Sequence, residues 1–211
     1  RFRHFTEDPT GRAGAPNLRV YDQAETPDGV IWQATYAGLQ SYDPRTGAFT
    51  AHFRDEGSVF DTGGLACKSI EIGPDGIIWL GTIEGLTRFD PDAETFKNYV
   101  VNPDKKYDPR NSIKSMLRDS DSTLWIGTGN GLYQLDEEEG KLIPVTTDPV
   151  LPLYLNSFES MLEDIHGNLW FGTHWGMLCY DRTNNRWEHI LTINPDKPDS
   201  DVDAKINCIV E

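Results

Sequence analysis

Aromatic and hydrogen-bonding residues occupy one recurring position of this sequence, and their chemistry suits a small polar ligand. They are Tyr36, Glu84, Asn130 and the neighbouring pair His174 and Trp175. An aromatic ring can stack on the face of a sugar, while carboxylate, amide and imidazole groups hydrogen-bond to its hydroxyls. We therefore predict that these five residues contact a ligand. Random variation of surface turns is the alternative explanation, and for Trp175 it is packing under a neighbouring loop.

Metal and catalytic chemistry have weaker support in the residue types and spacings. Asp119–Thr123 places oxygens at alternate positions, as a calcium loop does, but the later Gly and Glu of such a loop are missing. A polar hairpin turn is the competing interpretation. His166 and His174 lie at opposite ends of one expected strand, roughly 20 Å apart, so they cannot share one ion. The motifs of serine hydrolases, zinc proteases and phosphate-binding loops are missing. We predict no catalytic residue, no metal site and no cofactor.

Four copies of one sequence frame carry the candidate contacts. The copies are marked by Trp32, Trp79, Trp125 and Trp170, which are spaced by 47, 46 and 45 residues. In each copy Thr follows the Trp by three residues, Gly by six and Asp by eleven. The candidate contacts fall between the Thr and the Gly, where the copies disagree. The agreement around them indicates a structural unit.

Each copy predicts four short β-strands, with the Trp on the second strand and the candidate contacts in the turn before the third. Gly and turn residues recur too often for a helix. A four-stranded antiparallel unit of about 45 residues is typical of a β-propeller blade, which buries its faces by stacking on other blades. We therefore predict an all-β propeller with the Trp residues between blades. The small residue two positions after each Trp allows the sheets to approach closely, and the Asp that ends the third strand bonds to its own turn.

The predicted blades cover approximately residues 17–53, 68–100, 112–146 and 157–191 of one propeller. Residues 1–5 match the fourth strand of a preceding blade, and residues 205–211 match the first strand of a following one. We expect the chain to be part of a larger ring, with its open edges covered by the remaining blades of the same protein or by a second copy. The long connections between blades lie at the same face as the candidate contacts, where loops on a rigid scaffold commonly bind ligands.

Charge and hydropathy exclude several kinds of partner. The net charge is −15 at pH 7, whereas nucleic-acid binding requires basic surfaces that neutralise phosphates. Anionic membrane surfaces are disfavoured for the same reason, and no apolar run approaches the roughly 20 residues of a membrane span. We expect neither nucleic-acid binding nor direct membrane contact. The three cysteines show no metal spacing, and their odd number leaves at least one unpaired within the chain.

The repeated frame resembles the two-component regulator propeller repeat. SMLEDIHGNLWFGTHWGMLCYD at 160–181, GPDGIIWLGTIEGLTRFD at 73–90 and STLWIGTGNGLYQLD at 122–136 follow that pattern nearly throughout, whereas WQATYAG at 32–38 departs from it. The resemblance implies a periplasmic or other extracytoplasmic sensor domain of a membrane-anchored hybrid histidine kinase. Such a domain detects an oligosaccharide or another small molecule and signals to a kinase module outside this chain. A non-enzymatic sensor is the leading expectation. A lyase or glycan-cleaving propeller enzyme and a protein-interaction scaffold are the alternatives.

Overall fold

The fold is all-β, as the sequence predicts. The computed structural model describes residues 19–36, 38–52, 66–105, 108–145, 156–174 and 176–192. Within these ranges sixteen strands form four antiparallel sheets of four strands each. The one helical segment in the described ranges is the 3-10 turn Pro109–Asn111. The predicted strands at 1–5 and 205–211 lie outside the described residues.

Each sheet pairs its strands in chain order, as a blade does. The first sheet contains β1 (Val20–Glu25), β2 (Ile31–Thr35), β3 (Gly38–Asp43) and β4 (Ala48–His52), and the second contains β5 (Cys67–Ile72), β6 (Ile78–Thr82), β7 (Gly85–Asp90) and β8 (Thr95–Tyr99). The third sheet contains β9 (Ile113–Arg118), β10 (Leu124–Thr128), β11 (Gly131–Asp136) and β12 (Lys141–Pro144), and the fourth contains β13 (Phe158–Glu163), β14 (Leu169–Thr173), β15 (Gly176–Asp181) and β16 (Arg186–Thr192).

The chain divides into two compact units, residues 1–98 (the first unit) and residues 99–211 (the second unit). In the first unit a buried apolar cluster joins Trp32 of the first sheet to Phe89 of the second, with ring centroids 5.8 Å apart. In the second unit Trp125 of the third sheet packs against Phe171 of the fourth, with centroids 5.7 Å apart. The predicted position of the Trp residues between blades is therefore confirmed for Trp32 and Trp125.

Close approach of the sheets depends on the small residue after each Trp, as predicted. A Cβ on Gly127 would lie 2.6 Å from Ser115 Oγ and 2.7 Å from the Cβ of Phe158 in the next sheet. Real Cβ atoms do not approach other atoms so closely, so glycine is required here for steric reasons. In the first sheet the equivalent residue is Ala34, which is fully buried in the core cluster.

The Thr and Gly of the repeated frame close the turn between the second and third strands. In the first sheet Thr35 Oγ1 donates a hydrogen bond to the Gly38 carbonyl at 2.8 Å, and Gly38 has φ of +121°. Side chains disfavour this left-handed region, which explains the glycine. The same bond measures 2.8–2.9 Å between the frame residues of the other copies, Thr82 and Gly85, Thr128 and Gly131, and Thr173 and Gly176.

The Asp that ends each third strand accepts hydrogen bonds from the backbone of its own turn, as predicted. Asp43 Oδ1 accepts from the Arg45 N–H at 2.8 Å, and Asp181 Oδ1 accepts from the Asn184 N–H at 3.0 Å. Asp90 and Asp136 make equivalent bonds. These carboxylates hold the turn that leads into the fourth strand.

Candidate functional site

The turns that carry the candidate contacts lie beside the entries to the first strands. The Tyr36 N–H donates to the Arg19 carbonyl at 3.1 Å, and the His174 N–H donates to the Ser157 carbonyl at 3.2 Å. In the second unit the Gly131 N–H also donates a hydrogen bond to the carbonyl of Asn156, which lies two residues before the first strand of the fourth sheet. We call the end of each sheet formed by the turn between its second and third strands the turn end. Within the second unit, turns and a blade-to-blade connection therefore share this end, as the antiparallel strand order predicts.

The five candidate contacts differ in exposure. Tyr36 is 52% exposed, His174 is exposed, and Asn130 is half-buried, whereas Glu84 is 3% exposed. Trp175 lies outside the described residues. Tyr36 and His174 present their side chains to solvent, while Glu84 is held in the protein interior. Their contact with a ligand stays a prediction.

The frame threonine also fixes the backbone at the candidate positions. The N–H of Glu84 donates to Thr82 Oγ1, and the N–H of Asn130 donates to Thr128 Oγ1, both at 3.1 Å. A turn bonded in this way has little conformational freedom. In these two copies, side chains as different as Glu84 and Asn130 are therefore carried on backbone held by the same hydrogen bond.

A second variable position, which the sequence analysis missed, lies in a β-bulge of every first strand. In the first sheet Thr35 lies opposite Val20 and Ala34 lies opposite Asp22, so Tyr21 has no residue opposite it. The corresponding bulge residues of the other sheets are Lys68, Lys114 and Glu159, and all four bulge residues are half-buried. A bulge redirects a side chain away from the regular pleat and often lies next to a functional site.

The bulge residues lie at the turn end of their sheets. The guanidinium carbon of Arg19 is 5.2 Å from the ring centre of Tyr21 and 5.6 Å from that of Tyr36. In the second unit a Cβ on Gly129 would lie 3.6 Å from Lys114 Cε. Each bulge residue precedes the frame Trp by eleven residues and varies between Tyr, Lys and Glu. That variation at a constant spacing is the signal that could have identified this position.

Polar residues next to the bulges join adjacent first strands within each unit. Asp22 Oδ2 accepts a hydrogen bond from the Ile70 N–H at 3.0 Å, and Ser115 Oγ donates to the Phe158 carbonyl at 3.0 Å. Burial raises the pKa of the Asp22 carboxyl, although the N–H groups of Ile70 and Gln23 act in the opposite direction. These bonds hold the bulges of neighbouring sheets in a defined relation to each other.

The structure explains Asp119–Thr123 as a hydrogen-bonded hairpin turn. Asp119 Oδ1 accepts from the N–H groups of Asp121 and Thr123, and Oδ2 accepts from Trp125 Nε1 and Arg182 Nη2, both at 2.7 Å. A guanidinium therefore already supplies positive charge at this carboxylate. Arg182 follows β15, so the ion pair joins the third sheet to the fourth. The polar hairpin interpretation is confirmed, and the calcium interpretation has no support from these contacts.

The bond from a carboxylate to the frame Trp recurs in the fourth sheet. Asp164 Oδ2 accepts from Trp170 Nε1 at 2.8 Å, and the N–H of His166 donates to Asp164 Oδ1. His166 is thus a turn residue, as expected. The spacing of six residues between Asp and Trp occurs in these two copies, whereas Thr26 and Gly73 occupy the position in the first two copies. This irregularity is why the sequence analysis missed the bond.

The described residues offer little for metal or covalent chemistry. Nowhere in them do three or more His, Cys, Asp or Glu side chains group as metal ligands would. Cys67 and Cys179 are buried, and burial raises the pKa of the Cys179 thiol to about 11. A thiol with that pKa is protonated at neutral pH and is a poor nucleophile. No helix in the described ranges has the length and apolar character needed to cross a bilayer.

The sequence profile of the family described as two-component regulator propeller matches residues 108–130 and 155–175. These two segments carry the two-component regulator propeller repeat. The first matched segment contains β9 and β10 with the frame residue Trp125, and the second contains β13 and β14 with Trp170. The resemblance stated from the sequence is therefore confirmed. No protein of curated function matches this sequence.

Solved structures with a similar fold include extracellular domains of bacterial signalling proteins. One is from a putative hybrid two-component system of B. thetaiotaomicron, with a TM-score of 0.66, 22% identity, and coverage of 83% of this chain and 25% of that chain. Another, from a putative one-component system of the same organism, has a TM-score of 0.65, 24% identity, and coverage of 83% and 22%. This chain thus spans about a quarter of the length of either protein.

An enzyme also shares the fold. A catalytically inactive virginiamycin B lyase of Staphylococcus aureus, solved with quinupristin, has a TM-score of 0.62 and 15% identity, and the match covers 84% of this chain and 57% of the lyase. At such identities the likeness shows the fold alone. The repeats therefore say more about this chain than the structural neighbours do.

Proposed function

We propose that this chain is part of the extracytoplasmic, ligand-sensing propeller of a membrane-anchored two-component regulator. In this proposal the chain binds a carbohydrate fragment and passes the signal to a kinase module outside the 211 residues. The observation that carries the proposal is the match of two segments to the two-component regulator propeller repeat. The two B. thetaiotaomicron structures, which are extracellular domains of signalling systems, support the same context.

The ligand site of this proposal is the turn end. There the hydrogen bond between Thr and Gly is the same in all four copies, while the residues between them differ in size, charge and aromaticity. A rigid scaffold that presents variable side chains is a common arrangement for ligand recognition. Tyr36, which is 52% exposed, provides an accessible ring for stacking on a sugar.

Calorimetric titration of the chain with a panel of oligosaccharides tests this proposal. Replacing Tyr36 or Trp175 by Ala should weaken binding by about 1–3 kcal/mol, because each removes a stacking surface. The melting temperature should hardly change. Ile165→Ala is the matched control, since Ile165 is 80% exposed and lies in the turn between β13 and β14, away from the turn end. The proposal fails if no oligosaccharide binds, or if both aromatic variants bind as the wild type does.

The second candidate function is that of a lyase, because a solved lyase shares the fold. Incubation of the chain with polysaccharides, followed by measurement of new double bonds and of reducing ends, separates the two functions. A sensor binds its ligand without changing it. Turnover that survives repeated purification would favour the enzyme, whereas binding without turnover would exclude it for that ligand.

A further inference from the structure

Positive charge and tyrosine rings meet at the turn end of the first unit, in a chain of net charge −15. Lys68 Nζ lies 3.9 Å from the ring centre of Tyr21. The guanidinium carbon of Arg19 lies 5.2 Å from the same ring and 5.6 Å from the ring of Tyr36. We call Arg19, Tyr21, Tyr36 and Lys68 the cationic tyrosine patch.

The β-bulges bring two of these residues together. Tyr21 is the bulge residue of β1, and Lys68 is the bulge residue of β5. The residues that follow them, Asp22 and Ser69, occupy equivalent places in the register, opposite Ala34 and Gly81. The bond from the Ile70 N–H to Asp22 Oδ2 joins the two strands at this level. The backbone of both first strands therefore places Lys68 and Tyr21 next to each other.

The positive charge of Lys68 is directed to an aromatic face. In the part of the chain that the structure describes, no carboxylate forms a salt bridge with Lys68, and its ammonium lies over the Tyr21 ring instead. The carboxylate of Asp22, adjacent to Tyr21 in sequence, accepts hydrogen bonds from the backbone N–H groups of Ile70 and Gln23. A lysine held against a ring keeps its charge and retains N–H donors for another acceptor.

Screening by salt limits how far the net charge of the chain acts on this patch. The Debye length at physiological ionic strength is about 8 Å, so exposed carboxylates farther away are largely screened. The cations of the patch lie 3.9–5.6 Å from the ring centres of Tyr21 and Tyr36. The carboxylate of Asp22, next to Tyr21 in sequence, offsets part of this positive charge, but an anion in contact with the patch still lies within a Debye length of both cations.

We propose that the cationic tyrosine patch binds an anionic group of a saccharide, either a carboxylate or a sulfate ester. This inference rests on the proposed sensor function and specifies its ligand class. Lys68 supplies a point charge with N–H donors, and Arg19 adds a second positive charge beside the same ring. An ammonium group forms strong charge-assisted hydrogen bonds to oxyanions. The ring of Tyr36, a residue that is 52% exposed, provides an apolar face for the attached sugar.

Matched pairs of ligands, in which one member carries the anionic group and the other has it esterified or removed, test the inference. One pair is trigalacturonate and its methyl ester, and the other is a 6-sulfated disaccharide and its desulfated form. In calorimetry the charged member of one pair should bind at least about tenfold more tightly, the preference expected from one charge-assisted hydrogen bond. The pair that shows the preference identifies the anion as a carboxylate or a sulfate.

Variants of Lys68 test whether this residue causes the preference for the charged ligand. Lys68→Gln should reduce the preference about tenfold, Lys68→Arg should retain most of it, and added salt should weaken it. Lys141→Gln is the matched control, because Lys141 is an exposed lysine on β12 whose partner is Glu139 at 3.2 Å. Equal binding of both members of each pair overturns the inference, as does a preference that survives Lys68→Gln.

A titration with inorganic sulfate separates this inference from the proposed function. The backbone amide NMR signals of Tyr21 and Lys68 should shift with sulfate in the wild type and not in Lys68→Gln. Those shifts without binding of any saccharide would support the patch and overturn the saccharide sensor. Saccharide binding without charge preference would overturn the patch alone. If neither probe binds, both proposals fail.

Discussion

Replacing Asp119 by Ala removes a carboxylate that joins a core tryptophan to an arginine of the next sheet. The Asp119 side chain is 2% exposed, and its Oδ2 accepts hydrogen bonds from Trp125 Nε1 and Arg182 Nη2, both at 2.7 Å. Its Oδ1 accepts from the N–H of Thr123 at 2.8 Å. The substitution therefore affects a turn, a core side chain and the contact between the third and fourth sheets together.

The expected loss of unfolding free energy is about 3 kcal/mol, of which about 1–3 kcal/mol comes from leaving the Trp125 N–H buried without an acceptor. Loss of a buried ion pair costs about 3–5 kcal/mol when the remaining charge is left unpaired. Arg182, however, is 25% exposed and keeps Asp121 at 2.9 Å and Glu163 at 3.2 Å. The ion-pair contribution therefore falls to about 1 kcal/mol.

Urea unfolding followed by tryptophan fluorescence measures this loss, with Asp164→Ala as the matched control. Asp164 accepts the same bond from its Trp170 at 2.8 Å, but among the described residues it has no arginine partner. Asp164→Ala should therefore cost less than Asp119→Ala. A double-mutant cycle with Arg182→Ala should give a coupling of about 1 kcal/mol. A loss below about 1 kcal/mol for Asp119→Ala, or one no larger than that of Asp164→Ala, would refute the reasoning.

Three further outcomes are expected. Trp125→Ala should cost about 3–5 kcal/mol through the cavity left against Phe171, and a variant with unchanged melting temperature would contradict the packing between sheets. Burial raises the pKa of Asp164, but hydrogen bonds from Trp170 and neighbouring amides outweigh it and lower the pKa to about 2. Its stabilising effect is therefore present above about pH 4 and lost toward pH 2, so the stability difference between the wild type and Asp164→Asn should shrink over that range; a constant difference would exclude this linkage. Cys179, whose pKa burial raises to about 11, should resist alkylation at pH 8 until urea is added, as mapped by peptide mass spectrometry; rapid labelling of the folded chain would show that the thiol is accessible.

The sequence determines the sheets because the bonds that shape them join residues close together in the chain. The bond from Thr35 to Gly38 spans three residues, and the bond from Arg45 to Asp43 spans two. Each such bond can be read from one copy of the repeat, and four copies confirm it. Strand order, turn positions and the burial of Trp32, Trp79 and Trp125 follow from the same local pattern.

The positions of some candidate site residues can also be predicted from the local pattern of the repeat. The position of Tyr36 and His174 in exposed turns follows from the repeat, and the structure shows both in those turns. The burial of Glu84, at 3% exposure, does not follow from the pattern, because equivalent turns expose or cover a side chain according to what packs on them. The bulge residues were also missed, since a bulge appears as a shift between paired strands and not as a residue type.

Tertiary structure decided the contacts between sheets. Arg182 and Asp119 are 63 residues apart in the chain, and Ile70 and Asp22 are 48 apart, so no local pattern connects them. The contact of Lys68 with Tyr21 likewise requires two bulges from different blades to lie side by side. The repeat specifies the blades because its hydrogen bonds join residues that are close in sequence. Which charges face each other depends instead on which sheets pack together and on how their strands are aligned.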